Sequence, residues 1–324
     1  MLTAKSLFLN EKGSVIIIVA ISMTALLLAT ALVVDIGTAE IEVAKVQNAA
    51  DAAAYSAGVK LPVGENDSEL QNEIINKAVE CAEKNGFSGL STDNVTFGGL
   101  KAGKYTTLTV KIPASAQLAF GGLTGRNMAN VVKSATVQAS AIKSIPDAVP
   151  LGVEKSAFES AVASGNTQHI VLKYSGGGGT EGFFGALDLD GLQGGGARDF
   201  STWLAFGYGG NLNVGDILPI ESGNMAGPTN TALAERLGQC THFSGEGGCT
   251  PEHFVNDCPR VIKVIIFENV DGRSVKIDGF AAFVLETTNE FGEVIGSYSK
   301  MVLHSSEYDN NDTDFGITSL NLIG

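Results

Sequence analysis

The sequence predicts an α+β chain in three parts. An N-terminal transmembrane helix extends into a longer helix, a small α+β unit follows, and a mainly β domain of barrel or sandwich type completes the chain. Three observations predict this. Residues Ser14 to Val34 form 21 positions without a charge. A segment of helical period then runs on to about Lys60. Beyond residue 145, short apolar runs punctuated by Gly, Asn and Asp replace the helical period. With 324 residues the chain can hold two domains of ordinary size. Its 40 glycines and 17% charged residues favour a β- and loop-rich outer part over a helical bundle.

The uncharged run is long enough for a helix to cross a bilayer, which takes roughly 20 residues. Lys5 and Lys12 precede it, and Asp35, Glu40 and Glu42 follow it. Basic residues favour the cytoplasmic side, so the N-terminus is expected inside and the bulk outside. A secretory signal is shorter and ends at a small-x-small site. Ala29-Thr30-Ala31 offers such a site, but the apolar run continues past it. Gly13-Ser14 looks like a prepilin-peptidase site, yet such pilins carry a Glu five residues into the mature chain, where Ile18 stands here. A permanent anchor is the favoured reading. The expected organisation is a cytoplasmic leader over 1–13, a transmembrane helix over 14–34, a helical stalk with a small α+β domain over 35–144, and an acidic, β-rich extracytoplasmic domain over 145–324.

In the stalk, Ile36, Ile41, Val43, Val46 and Ala50 recur at helical spacing, and Pro62 and Gly64 end the rod. The segment NDSELQNEIINKAVECAEKNG reads as a second helix with Asn66 or Asp67 as cap. Leu70, Ile74, Ala78 and Cys81 form its stripe, and Gly86 its stop. NVTFGG and YTTLTVKIPA read as strands around a turn at Lys101–Lys104, AQLAFGGLTG as a short helix, and NVVKSATVQASAIKS as a third strand. The two prolines of SIPDAVPLG suggest a domain boundary. Beyond it HIVLKYS, GFFGALDLD, LAFGYG, VIKVIIFEN, SVKIDGFAAFVLETT and GSYSKMVLH read as strands, with NVDGRS as a hairpin turn. One helix, Gly227–Gln239, is expected to close one side of the barrel or sandwich.

The net charge of −14 is unevenly placed. Residues 1–144 hold 12 acidic and 12 basic side chains, and residues 145–324 hold 23 acidic and 9 basic. An acidic half of this kind repels phosphate backbones, so no nucleic-acid partner is expected.

The chain resembles the TadG/TadE-like proteins of Tad (Flp-type) pilus assembly. The match begins at EKGSVIIIVAISMTALLLATALVVDIG and continues into VQNAADAAAYSAG. An apolar helix after Gly13 runs into an Asp35-x-Gly37 turn. A helix containing Gln47, Asn48, Ala49, Ala50, Asp51, Ala52, Ala53 and Ala54 follows. ALDLDGLQGGGARDF, GYGGNLNVGDILPIESGNMAGPTNTAL, CPRVIKVIIFE and IDGFAAFVLE are similar to the region that often follows in that family. The D-x-S-x-S metal motif of members with a von Willebrand A domain is missing. The resemblance implies a pilin-like small unit and a membrane-tethered structural or assembly component of a pilus or secretion system, with other pilus or secretion proteins as partners. A surface-exposed minor pilin or adhesin-like module is the first alternative, and a metal-dependent or cysteine hydrolase the more remote one. The small residues Ala49, Ala50, Ala52, Ala53, Ala54, Ser56, Ala57 and Gly58 allow close helix packing. That surface would serve either self-association or the protein's own sheet.

No catalytic residue and no cofactor are expected. There is no G-x-S-x-G, and the four histidines are His169, His242, His253 and His304. Four cysteines are present, and Cys240, Cys249 and Cys258 fall within nineteen residues. An oxidising compartment favours one disulfide among these three, which leaves the third cysteine free or paired with Cys81. With His242 and His253, the same three cysteines can also be drawn as a zinc site, although no C-x-x-C knuckle is present. Asp188 and Asp190, and Asp309, Asp312 and Asp314, are oxygen-rich calcium candidates without the twelve-residue loop spacing. Asp-rich turns are the favoured reading of both. The glycine runs 176–179 and 194–196 lack a following Gly-Lys-Ser/Thr and read as turns.

Overall fold

A computed structural model describes residues 11–123, 125–173, 186–192, 196–221, 225–243, 245, 247–288, 293–303, 308–309 and 313–323. The fold is α+β and falls into two compact units, Met1–Gln138 with Leu322–Gly324, and Ala139–Asn321.

The first unit is built on α1 (Glu11–Gly58). The two-residue strand β1 (Val63–Gly64) leads to α2 (Ser68–Lys84). Asp67 caps α2 by accepting a hydrogen bond from the Leu70 N–H at 3.1 Å. Gly86, with φ of 92°, turns the chain away at the other end. The buried stripe of α2 is Ile74, Ala78 and Ala82 at four-residue spacing, whereas Cys81 sits at its margin. Next come β2 (Val95–Lys101), β3 (Lys104–Gln117) and β4 (Met128–Ile142), an antiparallel meander with β1 on β3. The β2–β3 turn holds Ala102 and Gly103 at positive φ, as a two-residue hairpin requires. Leu108, Val110 and Ile112 alternate inward from β3 and are fully buried, each contributing roughly 1.5–3 kcal/mol. The expected helix over AQLAFGGLTG is no more than a 3-10 turn at Gly121–Leu123. Adjacent glycines are too weak as helix formers to extend it.

The second unit contains β5 (Ser144–Pro146), β6 (Ala148–Glu154), α3 (Lys155–Ala163), β7 (Ile170–Lys173), α4 (Gly196–Phe206), β8 (Asn211–Asn213) and β9 (Ile217–Pro219). It continues with α5 (Ala226–Gly238), β10 (Val261–Asn269), β11 (Ser274–Thr288), β12 (Val294–Ser299), β13 (Met301–Leu303), β14 (Tyr308–Asp309) and β15 (Ile317–Leu322). The main sheet runs β6-β10-β11-β12-β7 with β9 on β11. β6 and β10 are parallel, and the remaining pairs are antiparallel. β5 pairs with β8, β13 with β15 in parallel, and β14 with the end of β4.

The central strands are buried on both faces. Ile262, Val264 and Ile266 of β10 join Phe200, Leu204, Ala232 and Leu233 of α4 and α5 and Phe158 of α3. Val261, Ile265 and Phe267 point the other way, toward Leu187, Leu212, Cys249 and Cys258. Two-sided burial explains why VIKVIIF reads as a nearly continuous apolar run. Phe158 meets Phe283, Tyr298 and Phe315 edge-on, at centroid distances of 6.5, 5.3 and 5.8 Å.

Three expectations are corrected here. The sheets are open and do not close into a barrel. Three helices, not α5 alone, cover one face. LAFGYG is not a strand, because its first three residues end α4, whose buried Phe200, Leu204 and Ala205 keep helical spacing. The NVDGRS hairpin forms as expected. Asp271 Oδ1 accepts the N–H groups of Arg273 and Ser274, and Gly272 has φ of 78°.

A Cβ at Gly152 of β6 would lie 2.7 Å from the ring of Phe267 and 2.9 Å from Leu187. Gly152→Ala is expected to destabilise the second unit by about 1–3 kcal/mol through overpacking. Thermal unfolding of the detergent-solubilised chain, followed by near-ultraviolet circular dichroism, checks this.

Candidate functional site: the N-terminal helix and the cysteine loop

α1 is one uninterrupted helix of 48 residues. At 1.5 Å per residue its length is roughly 70 Å. Its two halves have different surroundings. From Val15 to Val34 the side chains are open, with Ile16 72% and Leu27 68% exposed, and Ala31 is the buried position. It is the helix among the described residues that is long and apolar enough to cross a membrane. Thr24 and Thr30 return their hydroxyls to the carbonyls of Ala20 and Leu26, at 2.8 and 2.5 Å, so neither polar group needs an outside partner.

Asp35 marks the change of surroundings. The expected Asp35-x-Gly37 turn is helical, and a Cβ at Gly37 would meet nothing within 4 Å. The Asp35 carboxylate accepts the Phe120 N–H at 2.9 Å, which fastens the loop before β4 to the helix. Phe120 lies beside Thr24, Leu27, Leu28 and Val34, and the residue is 44% exposed.

The alanine-rich segment lies within the first unit's core. Val46, Ala49, Ala50, Ala53, Ala54 and Ala57 are all but inaccessible, packed where α1 meets α2 and β3. Side chains this small let the helix backbone approach the sheet closely. Gln47 donates to Asp51 Oδ1 at 2.8 Å, one turn on. The same Gln47 amide also reaches the Ser134 carbonyl of β4, at 3.4 Å. Of the two uses expected for this surface, packing on the protein's own sheet accounts for these five alanines. Asn48 stays exposed, while Asp51, Ala52 and Ser56 are half-buried.

The loop between α5 and β10 gathers the cysteine cluster. Cys240, His242, Cys249 and Cys258 each offer a ligand atom, and these four atoms lie within 4.8 Å of one another. The Sγ atoms of Cys258 and Cys240 are 3.4 Å apart, and all three cysteines are free thiols, as is Cys81. The peptide N–H of Cys249 donates to Cys240 Sγ, and that of Arg260 to Cys258 Sγ, both at 3.4 Å. His253 is not in the cluster; its ring lies 3.8 Å from that of Phe243. Burial works against ionising Cys240. The Cys249 N–H and the Cys258 thiol outweigh it and hold the Cys240 thiol below its ordinary range. Burial pushes the Cys258 thiol up. Arg236 of α5 braces the loop. Its Nε donates to the Leu204 carbonyl at 2.5 Å and its Nη1 to the Pro259 carbonyl at 3.0 Å.

The acidic candidates among the described residues do not join that cluster. Asp188 is buried and accepts the Gly191 N–H at 3.3 Å, and Asp190 accepts that of Leu192 at 2.9 Å. Asp314 accepts the Gly316 N–H at 2.7 Å. The Asp309 side chain, Asp312 and His304 lie outside the described residues. Glu286 takes the Ser297 hydroxyl and meets His169 Nδ1, both at 2.5 Å, so that serine is aimed at a carboxylate and not at the imidazole.

Two substitutions test this reading of the helix. Ala53→Leu is expected to destabilise the first unit by about 1–3 kcal/mol, whereas Asn48→Ala leaves stability nearly unchanged; urea titration of the purified chain separates them. Asp35→Ala removes the Phe120 anchor, and faster amide exchange at Phe120 is the expected readout.

Comparison with known proteins bears on the same helix. No curated protein and no solved structure matches the chain. Residues 13–60 match the family model described as putative Flp pilus-assembly TadE/G-like. That match ends within two residues of the end of α1. The chain therefore carries, as its long N-terminal helix, a segment of the TadE/G-like type found in Flp pilus assembly.

Proposed function

We propose that this protein is a membrane-anchored structural or assembly component of a Tad (Flp)-type pilus or a related secretion machinery, with its bulk on the extracytoplasmic side. One observation carries the reading. The segment matching the pilus-assembly family is a single helix whose first part leaves apolar side chains open and whose second part is buried in a folded unit. Open leucines and isoleucines over some twenty positions suit a bilayer core, where lipid covers them. Lys12 before the apolar run, with Asp35, Glu40 and Glu42 after it, supports an N-terminus inside. The continuous helix then holds the first unit directly above the membrane surface, with Phe120 at the level where aromatic side chains favour the interface. Partners are other proteins of the same machinery. The role is to hold and position them.

The test is the intact mass of the mature chain in membrane and sheared-surface fractions. Full-length chain confined to membranes, digested by protease added outside the cell, is the expected result. A chain beginning at Ser14 in the sheared fraction would make it a processed filament subunit and overturn the reading. A second measurement is independent of processing. Leu27→Arg places a charge in the apolar run at about 2.5–3.5 kcal/mol, and is expected to shift the chain out of carbonate-washed membranes.

A further inference from the structure

Between α5 and β10, the backbone pairing of the described residues is a single bridge, Thr250 with His253. Yet Cys249 and Cys258 are 1% and 2% exposed, so the loop is held firmly against the sheet. Something other than strand pairing must fix it.

A disulfide uses two sulfurs at about 2.05 Å. Here it would leave the third cysteine and the imidazole unused. Four donors around a tetrahedral ion, with metal–sulfur near 2.3 Å and metal–nitrogen near 2.0–2.1 Å, stand about 3.4–3.8 Å from one another. The 3.4 Å between Cys240 and Cys258 Sγ is such an edge, and the four ligand atoms, all within 4.8 Å of one another, need draw in by no more than about 1 Å to complete the tetrahedron. His242 Nδ1 is buried and has no hydrogen-bond partner among the described residues, so no competing hydrogen bond holds that ring nitrogen. The surroundings complete the case. The N–H groups of Cys249 and Arg260 point at sulfur, as donors around a thiolate centre do. The Arg260 guanidinium is pinned by the carbonyls of Cys249 and Gly247, both at 2.9 Å. Its positive charge offsets the net negative charge of three thiolates and a divalent ion.

We infer that Cys240, His242, Cys249 and Cys258 form a closed, structural binding site for a zinc-class divalent cation that cross-links the loop preceding β10. Four protein ligands leave no open position, so the ion holds the fold and does no chemistry. Binding releases the thiol protons to solvent as the ligands become thiolates. His253 buttresses the loop through Phe243 and is not a ligand.

The experiment uses the full chain in detergent, reduced, supplied with zinc chloride and freed of loosely held metal by gel filtration. Elemental analysis is expected to find one zinc per chain. Cobalt exchanged for zinc is expected to give thiolate-to-cobalt charge-transfer absorption. Cys249→Ser and His242→Ala are each expected to lower zinc retention in competition with a chromophoric chelator by at least about tenfold, whereas Cys81→Ser and His253→Ala retain it. The wild-type titration needs no variant to fold. Wild-type chain that retains no zinc after this treatment overturns the proposal. So does native chain isolated without reductant that is metal-free and lighter by a pair of hydrogens, with a Cys240–Cys258 disulfide. Zinc held equally well by both ligand variants overturns it too.

Discussion

The close approach of one helix face to one sheet is the constraint on which the first unit depends. α1 has to present open apolar side chains in its first half and a protein-covered surface in its second, with no break between them. Large side chains in the second half would stand the helix off the sheet. Alanine at 49, 50, 53, 54 and 57 brings it close enough for Leu108, Val110 and Ile112 of β3 to be fully buried. Asp35 and Gln47 then fix the helix to the loop at Phe120 and to β4. The family-matched stretch is thus both a candidate anchor and the central beam of a folded unit.

The second unit follows a different logic. Its central strands are apolar on both faces, and three helices and an assortment of short strands and loops share the task of covering them. The loop side is the weaker cover, because it has little pairing of its own. There the cysteine cluster sits, with Arg236 and Arg260 binding the loop's carbonyls to α5 and to the cluster itself.

Much of this was legible in the residues. The anchor run, the Asp67 cap, the β2–β3 hairpin and the Asp271-Gly272 turn each announce themselves through local chemistry that tertiary packing does not override. α4 was misread because LAFGYG looks like a short apolar strand. The helical spacing appears only when Phe200 is counted with Leu204 and Ala205. The closed barrel was misjudged for a related reason, since nothing local in α3 or α4 reveals that they cover a sheet. At the cysteine loop the donors were visible but their convergence was not. The spacing C-x-H-x6-C-x8-C is irregular, and the chain folds back through positive φ at Phe243, Gly247 and Gly248, which sequence spacing does not encode.

The uninterrupted path of α1 through Asp35 fixes a phase as well as a distance. A straight helix advances roughly 100° per residue, so the side of the apolar run that faces Phe120 is locked in rotation to the alanine face buried against the sheet. Any neighbour that grips one side of the apolar run therefore also biases the compass bearing of the whole first unit.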